Sequence, residues 1–129
     1  MKIFIQTLAI LYVLIAFSSC EGTTTLTKTI DNQSSSTLTF ETFTIYGDSQ
    51  LNTIQPKELV IIYVDDQLGN FAGENYTCLN EIDSILVFIS GNKTLEKDIM
   101  NDNNWMNESK GGRNAKEECT FVVTDEDIK

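Results

Sequence analysis

The side chains of this chain that could do chemistry include three cysteines and nineteen carboxylates, and there is no histidine among its 129 residues. Without histidine there is no Ser-His-Asp triad, no imidazole metal ligand and no side chain whose ordinary pKa lies near neutrality. The nine Lys and Arg leave a formal charge of −10, which repels the phosphates that supply most nucleic-acid affinity. The composition therefore predicts a protein that is not an enzyme, uses no cofactor and does not bind nucleic acid.

The carboxylates suggest two kinds of site. Acids cluster at Asp65-Asp66 and at 125–127, but no D-x-D-x-D-G calcium loop is present, so we predict solvated strand ends and no metal site. A hydrolase of the glycosidase type needs only two acids at the right separation. Asp83, just before an apolar run, comes nearest to such a setting. A carboxylate-dependent hydrolase stays an alternative to a binding role.

The first nineteen residues have the form of an export signal. Lys2 precedes an unbroken apolar run from Leu8 to Phe17, and the small residues Ser18 and Ser19 follow it. The run is shorter than the stretch of about 20 apolar residues that a helix needs to span a bilayer core. We predict a signal helix over residues 1–19 that is removed. A retained transmembrane anchor or a buried strand is the alternative.

The residues Phe17-Ser18-Ser19-Cys20 resemble the lipobox of bacterial lipoproteins, in which small residues precede an acylated cysteine. The resemblance implies that Cys20 becomes the first residue of the mature chain and carries lipid that attaches it to a membrane. Each buried methylene contributes about 0.8 kcal/mol, so two or more acyl chains anchor a small protein. Residues 20–25 are then the lipidated cysteine and a short tether, and 26–129 form one domain. Cleavage by an ordinary signal peptidase, which would release the chain, is the alternative.

With Cys20 carrying lipid, Cys78 and Cys119 are the only cysteines left to pair within the chain. An exported chain leaves the reducing cytosol, so we predict a disulfide between them. A redox or metal pair is the alternative, but the two residues are not in a C-x-x-C arrangement and no histidine accompanies them.

The pattern after the tether is typical of β-strands. Leu26, Lys28 and Ile30 share one face, and a second alternating run extends over 38–45. Together these two runs predict a hairpin. A bulge near Glu41-Thr42 would bring both phenylalanines of the second run to the core.

Three further strands complete the prediction. The runs 59–64 and 85–89 are nearly continuous in apolar residues, as central strands covered on both faces are. The last strand is predicted at 119–124. The segments between are expected to be connections at 47–57 and 65–76 and to contain a short helix at 95–100. Short strands with turn signals and little helix predict a mainly β fold, an antiparallel β-sandwich that is immunoglobulin-like or a small open barrel.

Two segments contain candidate partner contacts. Lys110 and Arg113 flank a Gly-Gly pair, which is either a site for a phosphate or sulfated glycan or, as the turn residues favour, a solvated hairpin tip. Trp105 and Met106 lie in an Asn-rich stretch. Trp105 is either packed beneath its loop, which the usual burial of tryptophan favours, or exposed as an anchor for a partner.

The whole pattern resembles the small lipoproteins abundant in Bacteroidota. The resemblance is carried by Ser19-Cys20 and by loose strand and turn motifs at 30–35, 54–58, 83–88 and 120–128. It implies a β-sandwich that is anchored to the outer membrane. The periplasmic leaflet and the cell surface are alternatives, because only Glu21 matches the acidic signal that follows the cysteine in surface lipoproteins of that phylum. We expect a non-enzymatic binding or envelope-accessory module that meets an envelope protein or glycan. An inhibitor of a basic enzyme such as lysozyme is the alternative.

Overall fold

The computed structural model describes residues 22–70, 72 and 76–129. The predicted signal helix and Cys20 lie outside these residues. The described chain forms seven β-strands and two single turns of 3-10 helix, at Asp102–Asn104 and Asp125–Asp127. The strands are β1 (Thr23–Asn32), β2 (Leu38–Thr44), β3 (Ser49–Ile54), β4 (Leu59–Leu68), β5 (Ile82–Ile89), β6 (Met106–Lys110) and β7 (Asn114–Val123). β1 thus begins within the segment assigned to the tether.

The strands form two sheets, a four-stranded sheet in the order β4-β1-β7-β6 and a three-stranded sheet in the order β3-β2-β5. Their inner faces pack together around fully buried side chains such as Ile30, Phe40 and Phe121. The predicted mainly β sandwich is confirmed. Its strand pairs are antiparallel except that β1 and β7 run parallel. A parallel pair has no local turn of its own, so a sequence pattern does not reveal it.

β1 alternates as predicted, but its partners differ from the prediction. Leu26, Lys28 and Ile30 face inward and are buried. The predicted hairpin of the first two strands is wrong, because β1 pairs with β4 and β7, whereas β2 pairs with β3 and β5. Each of the two strands has one apolar face, and placing them in opposite sheets buries both faces in one core.

β2 keeps its alternation further than predicted. Phe40 and Thr42 are buried, while Phe43 lies on the opposite, half-exposed face. The register with β5 shifts between Phe43 and Thr44, so the predicted bulge at Glu41-Thr42 is wrong. The predicted connection after β2 contains β3, whose polar residues gave no strand signal.

The two runs predicted as central strands are sheet edges. β4 is the outermost strand of the four-stranded sheet and β5 that of the three-stranded sheet. Their outward apolar residues, including Ile61 and Phe88, are exposed. β4 also continues to Leu68, into a predicted loop. An apolar run indicates a strand that can be buried on both faces. It does not show whether other strands of the same protein pack against both of them.

The segment between β5 and β6 is not the helix predicted at 95–100. Instead, Lys97 Nζ donates to the carbonyl of Val122 at 2.8 Å and lies 4.9 Å from the centre of the Phe121 ring. β7 begins at Asn114, earlier than predicted. No helix in the described ranges is long and apolar enough to cross a membrane.

Cys78 and Cys119 lie at disulfide distance, with S–S 2.01 Å and Cα–Cα 5.6 Å. Both side chains are buried. The predicted pair is therefore confirmed. It joins the segment that precedes β5 to β7, and so links the two sheets.

The interior has an apolar half and a polar half. The apolar half holds Leu38, Ile54 and Val123, each without solvent exposure. Towards the start of β1, Lys28 and Glu117 are equally buried on the inner face of the four-stranded sheet. The Ser109 hydroxyl donates to both carboxylate oxygens of Glu117, at 2.8 and 2.6 Å.

Candidate functional site

The outer face of the three-stranded sheet presents large apolar side chains to solvent. Leu51, Leu86 and Phe88 are 64, 47 and 56 % exposed. The strand register places Glu41 of β2 directly between Leu51 of β3 and Leu86 of β5. Phe43 is the next residue of β2 on this face. We call Glu41, Phe43, Leu51, Leu86 and Phe88 the Glu41 face.

The alternation of β2 fixes the composition of this face. Because Leu38, Phe40 and Thr42 are buried inward, the residues between them must point outward. A slip of one residue would bury Glu41 and expose Phe40, so the register is strongly specified.

The carboxylate of Glu41 has no hydrogen bond or ion pair with any residue that the structure describes. In the free protein water solvates its carboxylate. A partner that covered Leu51 and Leu86 would remove this water, and an unpaired buried carboxylate is costly. Exposed apolar patches on a soluble domain mark interaction sites. The Glu41 face can therefore bind an apolar surface that brings a cation to its centre.

A buried amine lies in the polar half of the interior. Lys28 Nζ donates to the carbonyl of Asn80 at 2.6 Å and to the hydroxyl of Tyr76 at 3.1 Å, and it lies 4.5 Å from the centre of the Tyr63 ring. Burial lowers the pKa of Lys28 to about 8, although the nearby Glu81 carboxylate acts in the opposite direction. The amine is enclosed, and it ties the segment before β5 to β1.

A hydrogen-bonded group of polar side chains lies beside Lys28. The hydroxyl of Tyr63 donates to Glu81, and Gln67 Nε2 donates to Glu81 at 2.9 Å and to Asp65 at 3.3 Å. Burial, followed by the charge or hydrogen bond of Glu81, raises the pKa of Tyr63 and Tyr76 above the ordinary tyrosine value. Both hydroxyls therefore remain protonated donors over a wide pH range.

Most of the other acids singled out in the sequence are exposed to solvent. Asp83 is exposed and accepts a hydrogen bond from the hydroxyl of Ser84 at 3.2 Å. Asp125 accepts two hydrogen bonds from Ser35, at 2.7 and 2.8 Å, which lower the pKa of its carboxyl. Within the part of the chain that the structure describes, no three metal-ligating side chains come together.

A cleft of about 380 Å³ opens between β2 and β3 on one side and β4 on the other. Thr44 and Gln50 line it from the three-stranded sheet, and Tyr63 and Val64 from β4. Thr42 also lies at this cleft, and its hydroxyl has no hydrogen-bond partner in the described chain. Because Thr42 is 1 % exposed, this hydroxyl cannot meet a ligand.

Lys110 and Arg113 lie at the tip of the hairpin formed by β6 and β7. The hairpin tip that the sequence favours is confirmed, and both residues are exposed. The backbone N–H of Thr23 donates to the carbonyl of Arg113 at 3.0 Å. The basic tip therefore lies where the described chain enters the sandwich.

Trp105 is packed and is not a partner contact. It is 6 % exposed, its Nε1 donates to the carbonyl of Ile99 at 2.8 Å, and its ring centre lies 5.3 Å from that of Phe121. A tryptophan whose N–H has a protein acceptor can be buried without penalty, which corrects its assignment as a candidate contact. Met106, the next residue, is exposed.

The residues of the Glu41 face were not among the candidates that the sequence predicts. A signal was present, since Leu86 and Phe88 alternate with Ile85 and Ile89 and give the run apolar residues on both sides of a strand. Apolar residues on both sides predict a strand that is covered on both faces, whereas the outer face of β5 is exposed.

Comparison of this chain with protein-family models, curated proteins and solved structures gave no match.

Proposed function

We propose that this chain is an envelope lipoprotein, held on the membrane by lipid on Cys20, whose sandwich is a non-enzymatic module that binds a basic protein through the Glu41 face. The observation that carries the proposal is a carboxylate that has no partner among the described residues and lies at the centre of an exposed apolar sheet face.

The position of Glu41 selects the partner's chemistry. A partner that seals Leu51 and Leu86 from water leaves the carboxylate in a dry environment, where only a cation and further donors compensate for lost solvation. Arginine suits this role, because it is enriched at interface centres and pairs with carboxylates through two parallel hydrogen bonds. The formal charge of −10 adds long-range attraction towards basic proteins.

The same reasoning disfavours a second copy of this chain as the occupant. In a two-fold dimer each face meets itself, so the Glu41 carboxylates of two copies would approach within one desolvated interface. Like charges so placed cost several kcal/mol, and two molecules of charge −10 repel at long range.

A basic enzyme such as lysozyme is a specific form of this partner, and the module would then be an inhibitor. Binding would depend on salt, because charge steering weakens as the Debye length shortens. Inhibition that disappears at high salt and in a Glu41→Gln variant is the expected result. An enzyme whose activity is unchanged by the full chain is not the partner.

The enclosure of Lys28 excludes this amine as a catalytic base. Its amine is fully buried and occupied by Asn80 and Tyr76, whereas a catalytic base must come within hydrogen-bond reach of a substrate.

Photo-crosslinking in intact cells tests the Glu41 face. A crosslinking amino acid is placed at Leu86, with Thr27 on the outer face of the other sheet as the control position. We expect a protein adduct at Leu86 and none at Thr27, with a crosslinked partner peptide that contains Lys or Arg. The Glu41→Gln change should reduce the yield at least about tenfold, since truncating one member of a desolvated charge pair costs about 2–5 kcal/mol.

Glu118→Gln removes a carboxylate from the outer face of the four-stranded sheet and is the matched control, which should leave the yield unchanged. An adduct between two copies of this chain, or a yield that Glu41→Gln does not change, would contradict the proposed face.

A further inference from the structure

The hairpin tip packs closely against the residue where the described chain begins. A Cβ at Gly22 would lie 2.6 Å from the carbonyl oxygen of Arg113, so only glycine fits here without a shift. The Gly69 N–H donates to the Gly22 carbonyl at 2.8 Å. The ends of β4 and β6 and the starts of β1 and β7 therefore meet at one end of the sandwich.

The outer face of the four-stranded sheet is banded by charge at this end. Lys116 of β7 lies opposite Lys110 of β6, and one step inward Glu118 lies opposite Glu108. Like charges opposite each other destabilise a sheet, yet here the cations are gathered in the band nearest the chain entry. No ion pair joins the two bands in the described structure. Among the described residues, the acid in register with this band is Asp66, two strands from Lys116 across Thr25.

An exposed apolar residue lies at the same end. Leu68, the last residue of β4, is 72 % exposed and lies opposite Thr23. Leu68 is on the edge strand opposite β6 and shares only this end of the sheet with the cations. Apolar and basic residues at one end of a domain are the composition of surfaces that lie at the interface between headgroups and acyl chains. We call Leu68, Lys110, Arg113 and Lys116 the tether rim.

We propose that the tether rim is the membrane-facing surface of the domain and binds anionic lipid headgroups. This inference rests on the proposed lipid anchor. Two residues lie between Cys20 and Thr23, and these three residue steps of extended chain span at most about 10 Å. Thr23, whose N–H donates to the carbonyl of Arg113, therefore lies within about one Debye length of a bilayer that holds the lipid. At such distances each Lys or Arg is attracted to anionic lipid.

The tether rim is positively charged, whereas the molecule as a whole is negatively charged. With a formal charge of −10, the domain as a whole is repelled by an anionic membrane. This repulsion favours an orientation in which Lys110 and Lys116 face the headgroups and the Glu41 face points away from them. The Glu41 face then stays free for a protein partner.

Hydrogen exchange on the lipidated full chain tests this orientation. The chain is reconstituted in vesicles of phosphatidylcholine alone or mixed with phosphatidylglycerol. We expect the amides of the 110–114 tip to exchange about tenfold more slowly on the anionic vesicles, while the far-end turn at 90–94 is unchanged. The protection should vanish at 1 M salt, where the Debye length is about 3 Å.

Matched double variants separate the rim from general charge effects. Lys110→Gln with Lys116→Gln should abolish the slower exchange at the tip, whereas Lys57→Gln with Lys93→Gln, which removes the same charge at the opposite end, should preserve it. Each variant is checked for the disulfide, and the salt dependence of the wild type tests the contact without any substitution.

Equal tip exchange on neutral and anionic vesicles by a lipidated chain would overturn the rim and leave the proposed function standing. Loss of protection in the far-end variant would also overturn the rim. A chain that carries no lipid at Cys20 and stays in the aqueous phase would overturn both proposals.

Discussion

The buried amine of Lys28 should give the protein an unusual dependence of stability on pH. Burial lowers the pKa of Lys28 from its ordinary 10.5 to about 8. Between these values the unfolded chain binds a proton that the folded chain has released, so the free energy of unfolding rises with pH. At neutral pH this difference in pKa lowers the free energy of unfolding by about 3 kcal/mol, compared with a protein whose Lys28 kept its ordinary pKa.

Tyr63 and Tyr76 act in the opposite direction at higher pH. Their raised pKa values mean that the folded chain keeps protons which the unfolded chain loses above about pH 10, and this lowers stability there. We therefore expect the free energy of unfolding to increase by about 1 kcal/mol between about pH 8 and pH 9.5 and to decrease above about pH 10.

Urea unfolding of the mature chain with Cys20→Ser, at a series of pH values with the disulfide intact, measures this profile. Lys28→Met removes the titrating group and should abolish the rise between about pH 8 and pH 9.5, while Lys93→Met, on the surface, should keep it. A Lys28→Met protein with the wild-type slope would refute the assignment of the rise to Lys28.

Three further outcomes follow from the core. Thr42→Val should raise the free energy of unfolding by about 1 kcal/mol, because it removes a buried hydroxyl that has no partner among the described residues. Denaturant unfolding measures this gain, and the control Thr39→Val, at a half-buried residue whose hydroxyl lies 3.3 Å from that of Thr53, should not show it. Replacing Cys78 and Cys119 by alanine should lower stability by up to about 4 kcal/mol for a separation of 41 residues, and a change below about 1 kcal/mol in the same assay would count against a stabilising bridge. The fluorescence of Trp105 should be quenched weakly by acrylamide until the chain unfolds, and strong quenching of the folded protein would contradict its burial.

The sequence predicts the positions of the strands better than it predicts which strands pair with each other. The alternation of Leu26, Lys28 and Ile30 correctly places one face of β1 inward, because side-chain direction is a local property. Pairing is not local, and the parallel contact of β1 with β7 joins segments about ninety residues apart, such as Thr29 and Thr120. The expected hairpin failed because two adjacent strands, each with one apolar face, suit both a hairpin and two facing sheets.

The candidate surfaces show the same limit. Lys110 and Arg113 are recognisable from composition, but their closeness to the chain entry depends on the parallel register that ends at Thr23 and Asn114. The Glu41 face was hidden because three separate strands contribute its residues. The burial of Lys28 was equally hidden, since an amphipathic lysine on an apolar face usually extends its amine into water.

Both proposals depend on what Cys20 carries, and the mass of the N-terminal peptide from the membrane-extracted protein tests this most directly. We predict a peptide that starts at Cys20 and bears acyl chains on its sulfur and its amine. An unmodified peptide that starts at residue 21, or a chain that still starts at Met1, would contradict the membrane anchor.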